Sequence, residues 1–202
     1  MTWLNWLRRQ RVYKLVKQLV TLHLTYSPTY NRIIMYIPFS DLDFEARVWV
    51  YQANRELTQE ETGIITETLK PALDSWNAHG KPLTASGKVF EHRFIVIGVD
   101  ERDELPSGCS IDKSTHWIQE IGHQLNVDFF DRSLAYLDSE NVIQTIPVPQ
   151  IKRAVSEETV TPFTIIFDNQ VATKAQWMKR WKTQASNSWL NRYFLQQSGS
   201  LL

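Results

Sequence analysis

From Ala46 onward the apolar positions fall into short runs whose period switches between two and about 3.6 residues, and the switching outlines the elements. Arg47-Val48-Trp49-Val50-Tyr51 is a β-branched and aromatic run that predicts a first strand. Thr58 with Glu61 three residues later is a capping box, and Ile65, Leu69, Ala72, Leu73 and Trp76 then recur at helical spacing. Pro71 lies inside that pattern, where a regular helix loses about 3 kcal/mol. A kink or break near Lys70 is therefore expected. Asn77-Ala78-His79-Gly80 reads as the stop, with Gly80 at the left-handed C-terminal position and Pro82 beyond.

Two strands follow, Leu83 to Phe90 and His92 to Val99; the second is continuously apolar and predicts a central strand. Asp100 to Pro106 is an acidic turn, after which Ser107 opens a helix carrying Ile111, Ile118, Ile121 and Leu125. Arg132 to Leu137 and Val142 to Val148 predict a hairpin around Asp138-Ser139-Glu140-Asn141, and Phe163 to Phe167 a further strand. Thr173 and Gln176 form a second capping box before a helix with Trp177 and Trp181. The order from Arg47 to Leu137 is strand, helix, strand, strand, helix, strand. It predicts an α+β fold with a ferredoxin-like βαββαβ antiparallel sheet. An extra hairpin and a C-terminal strand and helix complete a single domain over residues 35–202.

That topology makes a geometric statement. His79, Asp100, Glu101 and Cys109 should share one edge of the sheet, and Asn54, Arg55 and Phe130-Asp131-Arg132 the other. Residues 3–24 are different in kind: Trp3, Trp6, Leu7, Val12, Leu15, Val16, Leu19, Val20 and Leu22 form an apolar stripe among basic residues. A basic amphipathic helix of this sort suits an anionic membrane surface or an apolar patch of its own protein. Met35, just before Tyr36-Ile37-Pro38-Phe39, offers a third reading, in which 1–34 is a start-site artefact ahead of the domain.

Charge sharpens this picture. The formal net charge is zero, yet residues 1–40 and 169–202 carry no acid, while residues 41–168 hold all 22 acids against 11 Lys and Arg. Basic ends can bind a polyanion or fold back on the acidic body. One cysteine excludes an intramolecular disulfide framework and suits a reducing, cytoplasmic compartment. No run approaches the 18 or so apolar residues of a membrane span.

Candidate chemistry gathers at Ser107-Gly108-Cys109-Ser110-Ile111-Asp112. Small residues and hydroxyls at a helix start leave backbone N–H groups for an anion, so Ser107, Gly108, Ser110 and Asp112 are candidate ligand contacts, with Asn54, Arg55 and Arg132 on the opposite edge. Cys109 would act as a nucleophile only with a base, and His79 is the residue that the topology brings to its edge. The bland alternative is an inert thiol and a histidine that caps its helix. The five histidines and single cysteine show no zinc-ligand spacing, and no metal or cofactor is expected. Trp49, Tyr51 and Phe94 on strands could stack bases on an open sheet face, although the acidic surroundings disfavour nucleic acid. Trp177, Trp181, Trp189 and Tyr193 could anchor a homodimer or a protein partner, or bury the last helix on the sheet.

Taken as a set, Tyr51 to Leu57, Trp76 to Gly80, Ser107 to Asp112, Phe130-Asp131-Arg132 and Ser188 to Arg192 resemble a family of small uncharacterised bacterial cytoplasmic proteins commonly labelled "ABC transporter ATPase". The resemblance spans roughly residues 36–195 and implies a bacterial cytoplasmic protein. The label itself is not supported by the residues. A P-loop needs Gly-x-x-x-x-Gly-Lys-Ser/Thr to wrap phosphates, and Gly87-Lys88 is followed by Val89, with Pro82 where the first glycine belongs. The expected function is a non-enzymatic cytoplasmic binding or scaffold protein contacting an anion at 107–112. The alternatives are a thiol enzyme using Cys109 with His79, and an RNA- or protein-interaction module working through the ends.

Overall fold

The structure, a computed structural model, describes residues 35–198, with side chains described as far as Leu195. The expectations for residues 1–34, including the helix over 3–24, lie outside the described residues.

Strand β1 (Arg47–Gln52) leads into helix α1 (Gln59–Asp74). The first capping box forms: Thr58 Oγ1 accepts from the Glu61 N–H at 3.1 Å, and the Glu61 carboxylate accepts from the Thr58 N–H at 2.8 Å. The expected break at Pro71 does not occur. The helix runs on to Asp74, because Pro71 falls in its last turn and on its exposed side, and the Ser75 N–H bonds back to the Pro71 carbonyl. The stop at Asn77–Gly80 is also corrected. Those residues form a small hairpin, β2 (Asn77–Ala78) and β3 (Lys81–Pro82), turning on His79 and Gly80. Both turn residues have positive φ, 51° and 81°, as the twist of a two-residue hairpin favours.

Strands β4 (Ala85–Phe90) and β5 (Phe94–Val99) precede helix α2 (Gly108–Leu125). Next come the hairpin β6 (Leu134–Leu137) and β7 (Ile143–Ile146), then α3 (Ile151–Ser156) and β8 (Ile165–Phe167). Phe163, expected to begin that last strand, lies outside it and is exposed. Helix α4 (Lys174–Arg180), β9 (Lys182–Gln184) and α5 (Asn191–Ser198) end the described chain. At α4 the capping box is shifted: Thr173 Oγ1 accepts from the Gln176 N–H, while Gln176 Oε1 accepts from Ala172 rather than from Thr173.

The chain is a mixed α/β protein with antiparallel sheets, and side-chain parity stacks them. In the sheet β1-β5-β4, Trp49, Tyr51, Ala85, Ile95, Ile97 and Val99 join the core under α1 and α2. Val48, Val50, Phe90, Phe94 and Val96 point the other way, into a second core shared with Ala135 and Phe167 of the sheet β7-β6-β8-β9. Leu134, Tyr136 and Ile166 face a third core closed by α3 and α5. The layers are therefore helices, sheet, sheet, helices. β6 pairs with β7 and β8, whereas the chain leaving α2 touches β1 through the isolated parallel bridge between Gln52 and Phe130. Both faces of β6 gain apolar partners in the second sheet.

Two functional expectations change with this stacking. No open sheet face is left for base stacking at Phe94, which is buried 4.8 Å from Phe167 and 5.1 Å from Trp181 between ring centroids. Trp181 is buried in that same core with Trp177 stacked on it at 5.2 Å, and the half-buried Trp189 packs against the third core. These rings pack within the protein's own second and third cores. Among the described residues no helix is long and apolar enough to cross a membrane.

One ion pair ties these elements and sets a pH dependence. The Arg55 guanidinium donates to both Glu61 oxygens at 2.9 and 2.7 Å and to the Leu125 carbonyl at 3.1 Å, linking the start of α1 to the end of α2. Arg55, with the Thr58 N–H, holds the Glu61 carboxyl down from 4.5 to about 2. A carboxylate whose folded value is depressed stabilises the fold above pH 4.5, and that stability is lost as pH falls toward 2. Glu61→Gln is expected to cost about 1 kcal/mol at pH 7, the scale of a partly exposed pair, and to flatten the acid limb in urea melts recorded from pH 7 to 2.

Candidate functional site

The edge singled out by sequence is built as a helix start. Ser107 Oγ accepts from the Ser110 N–H at 3.2 Å, and the buried Ser110 Oγ donates to the Ser107 carbonyl at 2.8 Å. Trp76 Nε1 donates to the Ser110 carbonyl at 2.9 Å, fastening the end of α1 to the start of α2. Ser107 and Ser110 thus spend their polar atoms on the helix itself. Gly108, Cys109 and Asp112 are exposed. His79 is exposed on its hairpin turn, and among the described residues no hydrogen bond joins its ring to the Cys109 thiol.

The acidic turn beside them is taken up by ion pairs. Arg102 pairs with both Asp100 and Asp43, Lys81 with Glu104 at 2.8 Å, and Arg47 with Glu101 at 3.6 Å. Among the described residues no group of three or more His, Cys, Asp and Glu could hold a metal ion. The Gly87-Lys88 pair lies inside β4 with no loop around it. An exposed, unbonded thiol has a simple signature. Native protein should titrate one equivalent of an aromatic disulfide reagent, and Cys109→Ser should change the unfolding free energy from urea melts by less than about 0.5 kcal/mol.

The opposite edge of β1 is concave. A cavity of about 420 Å³ opens where the two sheets part, between Val50–Gln52, the 129–134 segment, Asn169, Gln170 and Trp189. A second, of about 410 Å³, lies beside it between Asn54 and the end of α2, and Phe129 and Phe130 form the wall they share. Asn54 lines the second and Arg132 the first, so both sequence-chosen residues are at a cavity. Their duties differ. Asn54 is spent on structure, its N–H bonding to the Asp128 carbonyl and its Oδ1 accepting from the Asp128 N–H. Arg55 is held by Glu61. Arg132 is exposed and makes no ion pair with a described residue.

The first cavity has a polar floor that sequence reasoning did not find. Gln52, 2% exposed, donates through Nε2 to Asp131 Oδ2 at 3.2 Å and to the Ser133 carbonyl at 2.9 Å. Its Oε1 accepts from Asn169 Nδ2 at 2.9 Å, and Asn169 Oδ1 accepts from Trp181 Nε1 at 3.0 Å. The other oxygen of Asp131 accepts from the Ser133 N–H at 2.9 Å. The signal available was parity: Gln52 shares the inward side of β1 with Val48 and Val50. Asn169 carried none, because Asp168-Asn169-Gln170 reads as an ordinary turn.

Behind this floor lies a buried cation. Arg93 is 9% exposed, and its guanidinium donates to the Ala53 carbonyl at 3.5 Å. Burial pulls its pKa below the ordinary arginine value, opposed by the charges of Glu56 and Asp131. Gln52, Asn169 and Asp131 satisfy one another and fix a shape. Such a fixed set of donors and acceptors can position a polar ligand.

No family model, curated protein or solved structure matches this chain.

Proposed function

We propose that this is a non-enzymatic binding protein that holds a small polar ligand in the cleft between its two sheets. One observation carries the reading: a hydrogen-bonded chain, Asp131–Gln52–Asn169–Trp181, joins residues more than a hundred positions apart and floors a cleft of about 420 Å³. That volume is within the range of small-molecule sites, and apolar walls with a few fixed polar groups are their usual composition. Fixing buried amides and a carboxylate together gives the floor one geometry, which a ligand meets without reorganising it. The reading moves ligand contact from the helix start at 107–112 to the other edge of β1. The fold reading that accompanies it is a ferredoxin-like βαββα half whose closing strand has been diverted into a second sheet. The resemblance to the bacterial family and the lone thiol support a cytoplasmic setting.

The test is a thermal-shift screen of free amino acids, short peptides and nucleosides against the full chain and Gln170→Trp. Gln170 is exposed at the cleft mouth, so the indole fills the cleft without disturbing its floor. At least one class should raise the melting temperature of the parent and leave that of the variant unchanged. Equal responses from both proteins, or none from either, would overturn the proposal.

A further inference from the structure

We infer that the ligand of the cleft is an extended peptide end, held by main-chain pairing to Val50 and by its terminal carboxylate at Arg132. The inference rests on the cleft being the binding site. β1 pairs antiparallel with β5, with Val48 opposite Gly98, Val50 opposite Val96 and Gln52 opposite Phe94. The Val48 N–H donates to the Ala172 carbonyl at 2.9 Å, so it points away from β5. In an antiparallel ladder alternate residues point the same way, so the N–H and C=O of Val50 and Gln52 also face outward.

The chain's own segments cover that outward edge at both ends. Ala172 sits against Val48, and Phe130 bridges Gln52. Between them the Val50 N–H and C=O have no partner among the described residues, and Val50 lines the cleft. A donor and an acceptor side by side on an extended residue match the acceptor and donor of another extended residue, which is how strands recruit peptides to a sheet edge.

The gap also limits the occupant. It is one residue long, so it cannot take a full strand, and a cleft of about 420 Å³ holds only a few residues. A chain end fits where a chain middle does not. Arg132 lines the same cleft, and a guanidinium meets a carboxylate through two parallel bonds. Phe130, 40% exposed, and the half-buried Trp189 supply an apolar wall for a terminal side chain.

The experiment uses the free-acid tripeptide Ala-Ala-Phe, its C-terminal amide, and a form methylated on the middle nitrogen, titrated into the full chain with amide NMR as readout. In the free protein the Val50 amide should exchange rapidly, unlike its neighbours in β1. Saturating free acid should protect it and shift the Gln170 resonance. The amide form, and the free acid against Arg132→Gln, should each bind about tenfold more weakly, with no further loss when the two changes are combined. The methylated form should fail to protect Val50. Protection of Val50 without any dependence on Arg132 or on the carboxylate would overturn the chain-end assignment. If nucleosides or free amino acids bind and lose affinity in Gln170→Trp while peptides do not bind, the peptide inference falls and the cleft reading stands. If nothing binds, both fall.

Discussion

Trp76→Ala is expected to be the most damaging single substitution among the described residues outside the cleft. The indole is fully buried between α1, α2 and the first sheet, with ring centroids 5.7 Å from Trp117 and 6.4 Å from Trp49. Truncating a buried tryptophan costs about 3–5 kcal/mol through lost transfer energy and the cavity left behind. The loss of the bond from Nε1 to the Ser110 carbonyl adds about 1 kcal/mol. For a chain of this size that is a fall in melting temperature of roughly 10 °C or more. Trp76→Phe keeps an aromatic plug and removes the bond, so a urea melt should place it about 1–2 kcal/mol below the parent. A similar loss for Phe and Ala would mean that the cavity is not the main cost. The Phe variant has a local reading as well: amides at 108–111 should exchange faster, because the tether between α1 and the start of α2 is gone.

The second large effect is at Gln52. Gln52→Leu has nearly the same volume but removes three bonds at once, to Asp131, to the Ser133 carbonyl and from Asn169. Each buried group left unmatched costs about 1–3 kcal/mol, partly relieved by water entering from the cleft, so a total of about 2–4 kcal/mol is expected. Gln52→Glu should be worse at neutral pH, since it sets a carboxylate where the amide now donates to Asp131 at 3.2 Å. Its sign with pH is distinctive. Two carboxyls in contact raise the value of one, so the introduced penalty is full at neutral pH and shrinks as pH falls and that carboxyl takes up a proton. Urea melts at pH 7 and pH 5 test this: the gap between Gln52→Glu and the parent should narrow at the lower pH, whereas that of Gln52→Leu should hold. Equal gaps at both would show that the Gln52 site is wetter than its 2% exposure implies.

The elements that proved legible were those with local causes. Thr58 and Glu61 carry the capping box in four consecutive residues, and β5 follows from the continuously apolar, β-branched run Phe94-Ile95-Val96-Ile97. Pro71 misled because its cost was assessed as if it lay mid-helix, while the helix ends only three residues later. Asn77 to Gly80 reads as a helix stop in the sequence rather than as a hairpin, since a hairpin of two-residue strands has no period to detect. The cleft was half legible. Topology puts Arg132 and Asn54 on the edge where the two cavities open, but it gives no sign of Gln52 and Asn169, because a polar residue in a strand or turn looks solvated until something is known to lie on top of it.

Sequence alone determined the order of the longer elements, β1, α1, β4, β5, α2, β6, β7, β8 and α4, and the first capping box, but not the β2–β3 hairpin, α3, β9 or α5. The fold decided which strand lies beside which. β6 could have completed the first sheet beside β1; it pairs instead with β7 and with β8, whose residues come about thirty positions later. Pairing is settled by the total apolar area both sheets can bury, a sum over residues far apart in the chain, and no local pattern contains it. That choice leaves Val50 uncovered at the edge of β1 and brings Asp131 to Gln52, and the cleft follows from it.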